Sequence, residues 1–396
     1  VDVGNSAYAT TVLAAVFPLY WRNVLAAGLP SGEAAALYGY ATAASLILAA
    51  MAAPLCGAAA DASARRKGAF GAATLLGVLA VAAVPILPAG SPGSGVALFL
   101  LGSLGFSLSS VFYDSFLPHL AIGADRDRLS SRGYAAGYLG GGVILAADAA
   151  ILTVRPDAAG FALVFLSTAL WWGAFSLPLL RFVPEPAASP APEGVLTAAF
   201  RRPLGLARGL LRPENRNLAL YLGAFWLYND GIGTVMRMGA LYGSMVGLSD
   251  AALVSALVGT QFVAAPCAIL FGRLAGRIGG KEALMVSLVG YAAVGLYLPF
   301  VSRPIHFWIV ALSVGAVQGG AQALSRSLYA ELVPAERSAE YFGFYDLSGK
   351  FAGILGPLLF SLVASLTGSM RLAGPLLSLL FLVGILLLLR VRIPRR

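Results

Sequence analysis

GAAADASARRK, residues 57–67, covers the end of one apolar run, 34–60, and leads directly into the next, 68–88. Each run supplies the roughly 20 apolar residues that a helix needs to cross the hydrocarbon core of a bilayer. The polar residues between them, Asp61, Arg65, Arg66 and Lys67, are therefore a short turn between two membrane helices. Gly57 is expected to permit a tight turn there, and Asp61 to sit at a helix N-terminus, where the helix dipole favours an anion. A second junction of the same build, GRLAGRIGGK at 272–281, lies between the apolar runs 249–275 and 282–302. It carries Gly276 where the first copy has its acid, so an acid-to-helix latch is expected only in the first half.

Outward from these two junctions the pattern continues. Apolar runs at 3–27, 34–60, 68–88, 94–120, 133–154, 158–183, 216–245, 249–275, 282–302, 305–331, 342–366 and 372–391 give twelve candidate spans, numbered here in chain order. They read as helices, because irregular backbone cannot face lipid and no two-residue alternation of a barrel is present. The bulk composition agrees: 59% of the 396 residues are hydrophobic, 11% are charged and the mean hydropathy is +0.82. A soluble domain carries about 25% charged residues, so a cytosolic enzyme, a secreted disulfide scaffold and a disordered chain are excluded. The longest break, 184–215, divides the spans six and six. It opens as PEPAASPAP and continues as a basic segment, Leu196 to Arg216, with Phe200, Leu204, Leu206, Leu210 and Leu211 among Arg201, Arg202, Arg208 and Arg212. That segment reads either as an amphipathic helix on the anionic cytosolic leaflet or as a charged linker. The domains are then 1–183, a linker 184–215, and 216–396.

Charge sets the orientation. With both termini cytosolic, twenty of the 27 lysines and arginines fall on the cytosolic side. Only Arg22, Arg155, Arg303 and Arg371 fall opposite, and Arg237, Arg326 and Lys350 lie within spans. This bias is what the positive-inside rule produces. The net charge of +9 is thus explained by topology and implies no nucleic acid. Arginine outnumbers lysine strongly, which points to a GC-rich genome and a bacterial inner membrane.

The halves also repeat. Ala-Ala-Pro at 52–54 recurs at 264–266, Asp114-Ser115 maps onto Arg326-Ser327, and Gly137-x-x-x-Gly141 maps onto Gly349-x-x-x-Gly353, all at a shift of 212. A common offset across three span pairs indicates two six-helix bundles in one orientation, a transporter architecture with its site between the repeats.

The 57–67 loop resembles the basic loop of the major facilitator superfamily. Five stretches carry a closer resemblance: NSAYATTVLAAVFPLY at 5–20, SSRGYAAGYLGGG at 130–142, LYNDG at 227–231, QGGAQALSRSLYAELVP at 318–334 and EYFGFYDLSGKFAGILGP at 340–357. Together they resemble the vacuolar effluxer family of autophagy and its bacterial relatives. The resemblance implies a twelve-helix all-α membrane protein, an export-type secondary transporter, and spans one, four, seven and ten around a central cavity. In fungi the family is associated with amino-acid efflux, which here is an analogy. Asp2 departs from the pattern, since Val1 and Val3 flank it where the family tends to have aromatic residues.

Charges inside spans are costly and mark function or pairing. Candidate substrate or coupling residues are Asn5 and Tyr8 in span one, Asn229, Asp230 and Arg237 in span seven, and Gln318 and Gln322 in span ten. Ser103, Ser107, Ser110 and Asp114 form one face of span four. Asp230 and Arg237 share a face, but seven residues separate them by about 10 Å, too far for direct pairing. The glutamines read equally as interhelical glue. Asp346 and Lys350 read as an intrahelical pair, Asp148 as a wall residue. Asp114 and Arg326, opposite charges at matching depth, are expected to form a cytosolic gate. Gly57, Asp61, Arg65 and Arg66 form the loop motif.

No phosphate-binding lysine loop is present, and neither is a nucleophile–base pair. Cys56, Cys267, His119 and His306 are too scattered for a metal site. No enzymatic activity, cofactor or metal is expected. The leading expectation is a monomeric, multi-pass transporter that moves a small polar solute by alternating access, with the bilayer and a proton as its other partners. The alternative is a non-transporting membrane receptor or scaffold of the same fold.

Overall fold

The structure is a computed structural model that describes residues 1–186, 194–245, 247–353, 355–367 and 372–393. Among the described residues it contains helices and no strand. Nine helices there are long and apolar enough to cross a membrane. They are spans two to six (Ser31–Ser63, Arg66–Ile86, Pro92–Leu120, Gly123–Val154 and Ala158–Phe182), eight to ten (Ala252–Ile278, Gly280–Phe300 and Pro304–Leu332) and twelve (Ala373–Arg390).

The other three expected spans are also helical, two of them with irregularities. Span one changes pitch, α-helical over Asp2–Ala7 and Phe17–Tyr20 and wider, π-type, over Tyr8–Val16 and Trp21–Leu25. Pro18 has no N–H to offer the carbonyl four residues back, which favours such a departure from the α ladder. Span seven is the continuous helix Arg216–Met245 with Asp230 at its middle. Span eleven is split into Ser338–Phe351 and Leu355–Thr367, around Gly353 and just before Pro357.

One boundary differs from expectation. Span five begins at Gly123 rather than near 133, because Arg126 and Asp127 are held by partners and need not lie in a solvated loop. The linker contains a 15-residue helix, Val195–Gly209. Leu196, Phe200, Leu204 and Leu211 are exposed along one side of this segment, while Ala198, Ala199 and Leu206 are buried.

Contacts group the chain into two compact units. The first comprises Val1–Phe116, Ala136–Pro203 and Glu336–Leu347. Its core is aromatic: Tyr8, Phe17, Tyr20, Trp21, Phe99, Phe165 and Trp172 are all buried. Glycines let helices touch there, since a Cβ at Gly105 would lie 2.5 Å from the Gly77 nitrogen. Small residues of this kind are what let membrane helices pack without a hydrophobic driving force.

The second unit comprises Leu117–Ala135, Leu204–Ala335 and Ser348–Arg396. Spans nine and twelve cross backbone to backbone at Gly295 and Gly374, where a Cβ at Gly295 would sit 2.8 Å from the Gly374 oxygen. Tyr221 donates to the Ser325 carbonyl at 2.6 Å, and the Tyr228 and Ser325 hydroxyls are 2.7 Å apart. These bonds satisfy the polar tips of two buried tyrosines, as a low-dielectric interior requires. Each unit thus contains one segment from the other sequence repeat: 336–347 in the first, 117–135 in the second.

Candidate functional site

The first unit builds its polar centre around Asp61. Asp61 lies in the last turn of Ser31–Ser63 and is fully buried. It accepts Arg66 Nε at 2.6 Å, the Ala339 N–H at 3.3 Å and the Glu340 N–H at 2.9 Å. Asp61 thus sits at the C-terminal end of its own helix and faces the N-terminus of another, the one that begins at Ser338. Its orphan amide groups and dipole favour the carboxylate. Arg66, also fully buried, donates Nη2 to the Glu336 carbonyl at 2.7 Å. Glu185 accepts the Arg66 N–H at 2.6 Å and the Lys67 N–H at 3.0 Å, which caps the start of span three. Ser338 donates to the Ser115 carbonyl at 2.8 Å.

Gly57 has a role other than the expected turn. It lies inside the span-two helix, and a Cβ there would clash with the Ala339 carbonyl oxygen. The turn itself is made by Ala64 in the left-handed region, at φ 54°. Arg65 is exposed, and its N–H closes the turn on the Ala60 carbonyl at 3.2 Å. Arg337 makes a two-point ion pair with Glu340, at 2.9 and 2.7 Å. Burial draws its proton affinity down, but the Glu340 carboxylate more than offsets this and holds the guanidinium more basic than usual.

The second unit has its own ionic cluster, although Gly276 supplies no acid. Asp127, near the start of span five, accepts the Ser327 hydroxyl, and Arg126 pairs with Glu331. Gly280 comes so close to Asp127 that a Cβ would lie 2.7 Å from its carboxylate. Arg326 is buried and donates to the Ser130 hydroxyl at 3.0 Å and the Ser130 carbonyl at 3.1 Å, with its guanidinium 4.4 Å from the Tyr134 ring centre. Ser130 in turn donates to the Ala323 carbonyl at 2.7 Å. The acid missing from the second loop is thus supplied by the opposing helix. Sequence spacing did not reveal this, because the 123–132 segment reads as a charged loop.

Among the candidate solute residues, the first unit brings span one onto span four. Asn5 donates to Ser110 Oγ at 3.3 Å and accepts the Trp172 indole N–H at 2.8 Å. Tyr8 and Ser103 hydroxyls are 3.1 Å apart, and Tyr113 donates to Asp2 at 2.5 Å. Ser107 donates to Asp346 at 2.8 Å, a partner that the sequence reading missed. Asp148 fits the wall reading: it is buried and accepts Thr11 at 2.6 Å and Ser167 at 3.3 Å. Asp114 ends the α-helix of span four and is half-buried.

In the second unit, Asp230 is 1% exposed and accepts the Gly356 N–H at 2.5 Å. It thereby caps the second piece of the split span eleven. Asn229 donates to the Gly349 carbonyl at 3.4 Å. Gln318 is buried and Gln322 half-buried on the same face of span ten as Arg326. The side chain of Arg237 lies outside the described residues. Among the described residues no group of three or more His, Cys, Asp or Glu is placed to hold a metal ion.

The chain as a whole is similar to known transporters. The family described as vacuole effluxer Atg22 like matches residues 23–396. The uncharacterized MFS-type transporter YxiO of Bacillus subtilis is 38% identical over 396 residues, 98% of this chain and 92% of that protein. Autophagy-related protein 22-1 of Aspergillus niger is 26% identical over 297 residues, 68% of this chain and 47% of that protein. The chain spans about half the length of this and the other fungal relatives. Among solved structures, the proton:xylose symporter XylE aligns with a TM-score of 0.74 at 15% identity, covering 98% of this chain and 92% of that one. The Escherichia coli fucose:proton symporter FucP aligns with a TM-score of 0.77 at 14% identity, covering 99% and 96%. At such identities the two symporters establish the twelve-helix major facilitator fold. The matched proteins are transporters and not enzymes.

Proposed function

Because this chain belongs to the vacuole effluxer Atg22-like family of major facilitator transporters, we propose that it exports a small polar solute, such as an amino acid, by proton-coupled alternating access. The observation that carries this reading is the pair of ionic clusters around Asp61 and Asp127. In each, the start of a span from one sequence repeat is held by the other repeat: residues 336–340 by Asp61 and Arg66, residues 126–130 by Ala323, Arg326, Ser327 and Glu331. The segments 124–135 and 336–347 are related by the 212 shift, so the two clusters are two uses of one device. A contact that joins the repeats at one end and can be released is what a gate requires, since only state-specific contacts shift a conformational balance. With the termini cytosolic, both clusters close the cytosolic end.

We assign coupling to Asp230. It carries a charge inside a span and also anchors the start of a helix segment through Gly356. Protonation weakens a carboxylate's hold on an N–H, so a proton arriving there loosens the anchor of Leu355–Thr367. Purified protein in liposomes, loaded with radiolabelled amino acids, tests the reading. Solute should leave faster when an opposing proton gradient is imposed, and Asp230→Asn should remove the gradient's effect. Failure of any amino acid to exchange across the membrane would overturn the solute class. Exchange that ignores the gradient would overturn the coupling alone.

A further inference from the structure

The second unit contains a cavity that the gate does not use. It encloses about 450 Å³ and is lined by Arg128, Ser131 and Arg132 from span five and by Ile269, Gly272 and Arg273 from span eight. Three guanidinium-bearing side chains converge on it. Asp125 offsets part of this charge through an exposed contact with Arg128 at 3.2 Å. Ser131 is 1% exposed, and its hydroxyl has no hydrogen-bond partner among the described residues. A buried hydroxyl in that state is disfavoured unless a ligand takes it up. Gly272 makes the space, because a Cβ there would lie 2.7 Å from Ser131 Oγ.

In the first unit Gly343, the 212-shift counterpart of Ser131, packs against the Ala53 carbonyl too closely to admit a Cβ. At this position the second unit thus has a hydroxyl where the first has backbone on backbone. An adjoining cavity of about 400 Å³ shares Arg273 and adds Leu270, Leu274 and Arg277. Leu270 and Ile269 are exposed on the surface of a spanning helix, where lipid chains run.

We propose that this cavity binds the phosphoryl headgroup of an anionic phospholipid. Its oxygens accept N–H groups from Arg128, Arg132 and Arg273 and the Ser131 hydroxyl, and its acyl chains lie along Ile269 and Leu270. Guanidinium forks suit phosphoryl oxygens, and basic pockets between membrane helices are suited to acidic headgroups. Free phosphate offers the same oxygens but has no use for the apolar walls. Spans five and eight come from different sequence repeats, so an occupant ties the repeats together at this end. Binding should therefore favour the state in which these helix ends are packed.

Binding of a fluorescent phosphatidylglycerol to the purified full chain in neutral detergent tests this. Arg132→Gln with Arg273→Gln, both exposed positions, should weaken binding about tenfold or more, and Ser131→Ala should weaken it less. Arg201→Gln with Arg208→Gln, basic residues of the linker helix, should leave it unchanged, and melting temperatures should confirm that every variant is folded. Unlabelled phosphatidylglycerol should displace the probe, phosphatidylcholine should not, and inorganic phosphate should displace it only weakly. Unchanged affinity in the cavity pair, or equal loss in the linker pair, would overturn the site. Displacement by phosphate as effective as by phosphatidylglycerol would overturn the lipid and assign a free phosphate instead.

Discussion

Asp61→Asn should open the gate rather than unfold the protein. Asparagine keeps the size of the side chain and one oxygen, enough for the shorter Glu340 N–H contact but not also for Ala339, which uses the other carboxylate oxygen, and it removes the charge that Arg66 faces at 2.6 Å. Both partners are fully buried, so the guanidinium is left without its counter-ion while the cluster stays closed. Breaking a buried pair from one side costs about 3–5 kcal/mol. Opening lets Arg66 reach water, so that cost falls on the closed state alone. At about 1.4 kcal/mol per decade, the closed-to-open ratio should drop by roughly two to three and a half decades. Ser338 reports the change, since it is fully buried beside the cluster. Ser338→Cys, in a background lacking Cys56 and Cys267, should react slowly with a maleimide, and the rate should rise steeply on adding Asp61→Asn. Arg66→Gln added to Asp61→Asn should slow it again, because a neutral pair leaves no stranded charge. A rise below about threefold, in protein with an unchanged melting profile, would refute the idea that the buried charge favours closure.

Orientation is tested by a reporter active only outside the cytosol: it should be silent after Arg396 and active in the 89–93 loop, and the opposite pattern would turn the gate to the other side of the membrane. Asp230→Ala should destabilise the fold by about 1–3 kcal/mol, because the buried Gly356 N–H loses its acceptor. Asp230→Asn should melt near wild type, and equal melting of the two variants would refute the capping role. A nitroxide at Phe200→Cys should collide more with oxygen than with a polar nickel complex, and one at Arg201→Cys should do the reverse. Equal collision rates would remove the linker helix from the membrane surface.

The architecture was legible because its determinants are collective. Twelve apolar runs, a lopsided arginine distribution and a 212-residue repeat survive errors at any one residue, and the described residues of the twelve runs are mainly helical. Individual roles were less legible where a residue's partner lies far along the chain. Gly57 looked like a turn residue because glycine favours turns, yet Ala64 makes the turn and Gly57 admits a neighbouring backbone. Asp230 looked like a lone charge in a span because its partner is a main-chain N–H at 356, which no side-chain pattern announces. The beginning of span five looked like a loop because the partners of its charges, the Ser327 hydroxyl for Asp127 and the Glu331 carboxylate for Arg126, lie two hundred or more residues away.

The two clusters also differ in a way that bears on how the gate works. In the first, the acid sits on the span-two side and receives the N–H groups of an incoming helix. In the second, the acid sits on the incoming helix itself, at Asp127, and receives a hydroxyl from span ten. The first therefore depends on a buried charge pair and on a helix dipole, both of which lose their hold when water enters. The second spreads its charge over Arg126, Glu331, Arg326 and a tyrosine ring, with the Arg126–Glu331 pair near the edge at 4% and 11% exposure. Raising salt screens exposed charge far more than buried charge. Salt should then loosen the Arg126–Glu331 pair more than the fully buried Asp61–Arg66 pair. With cysteines at Ser327 and at Ser338 in separate proteins, maleimide labelling should rise with ionic strength at the first position and stay nearly flat at the second. Equal salt dependence at both would mean that the clusters open as one step and that their different chemistry has no mechanical consequence.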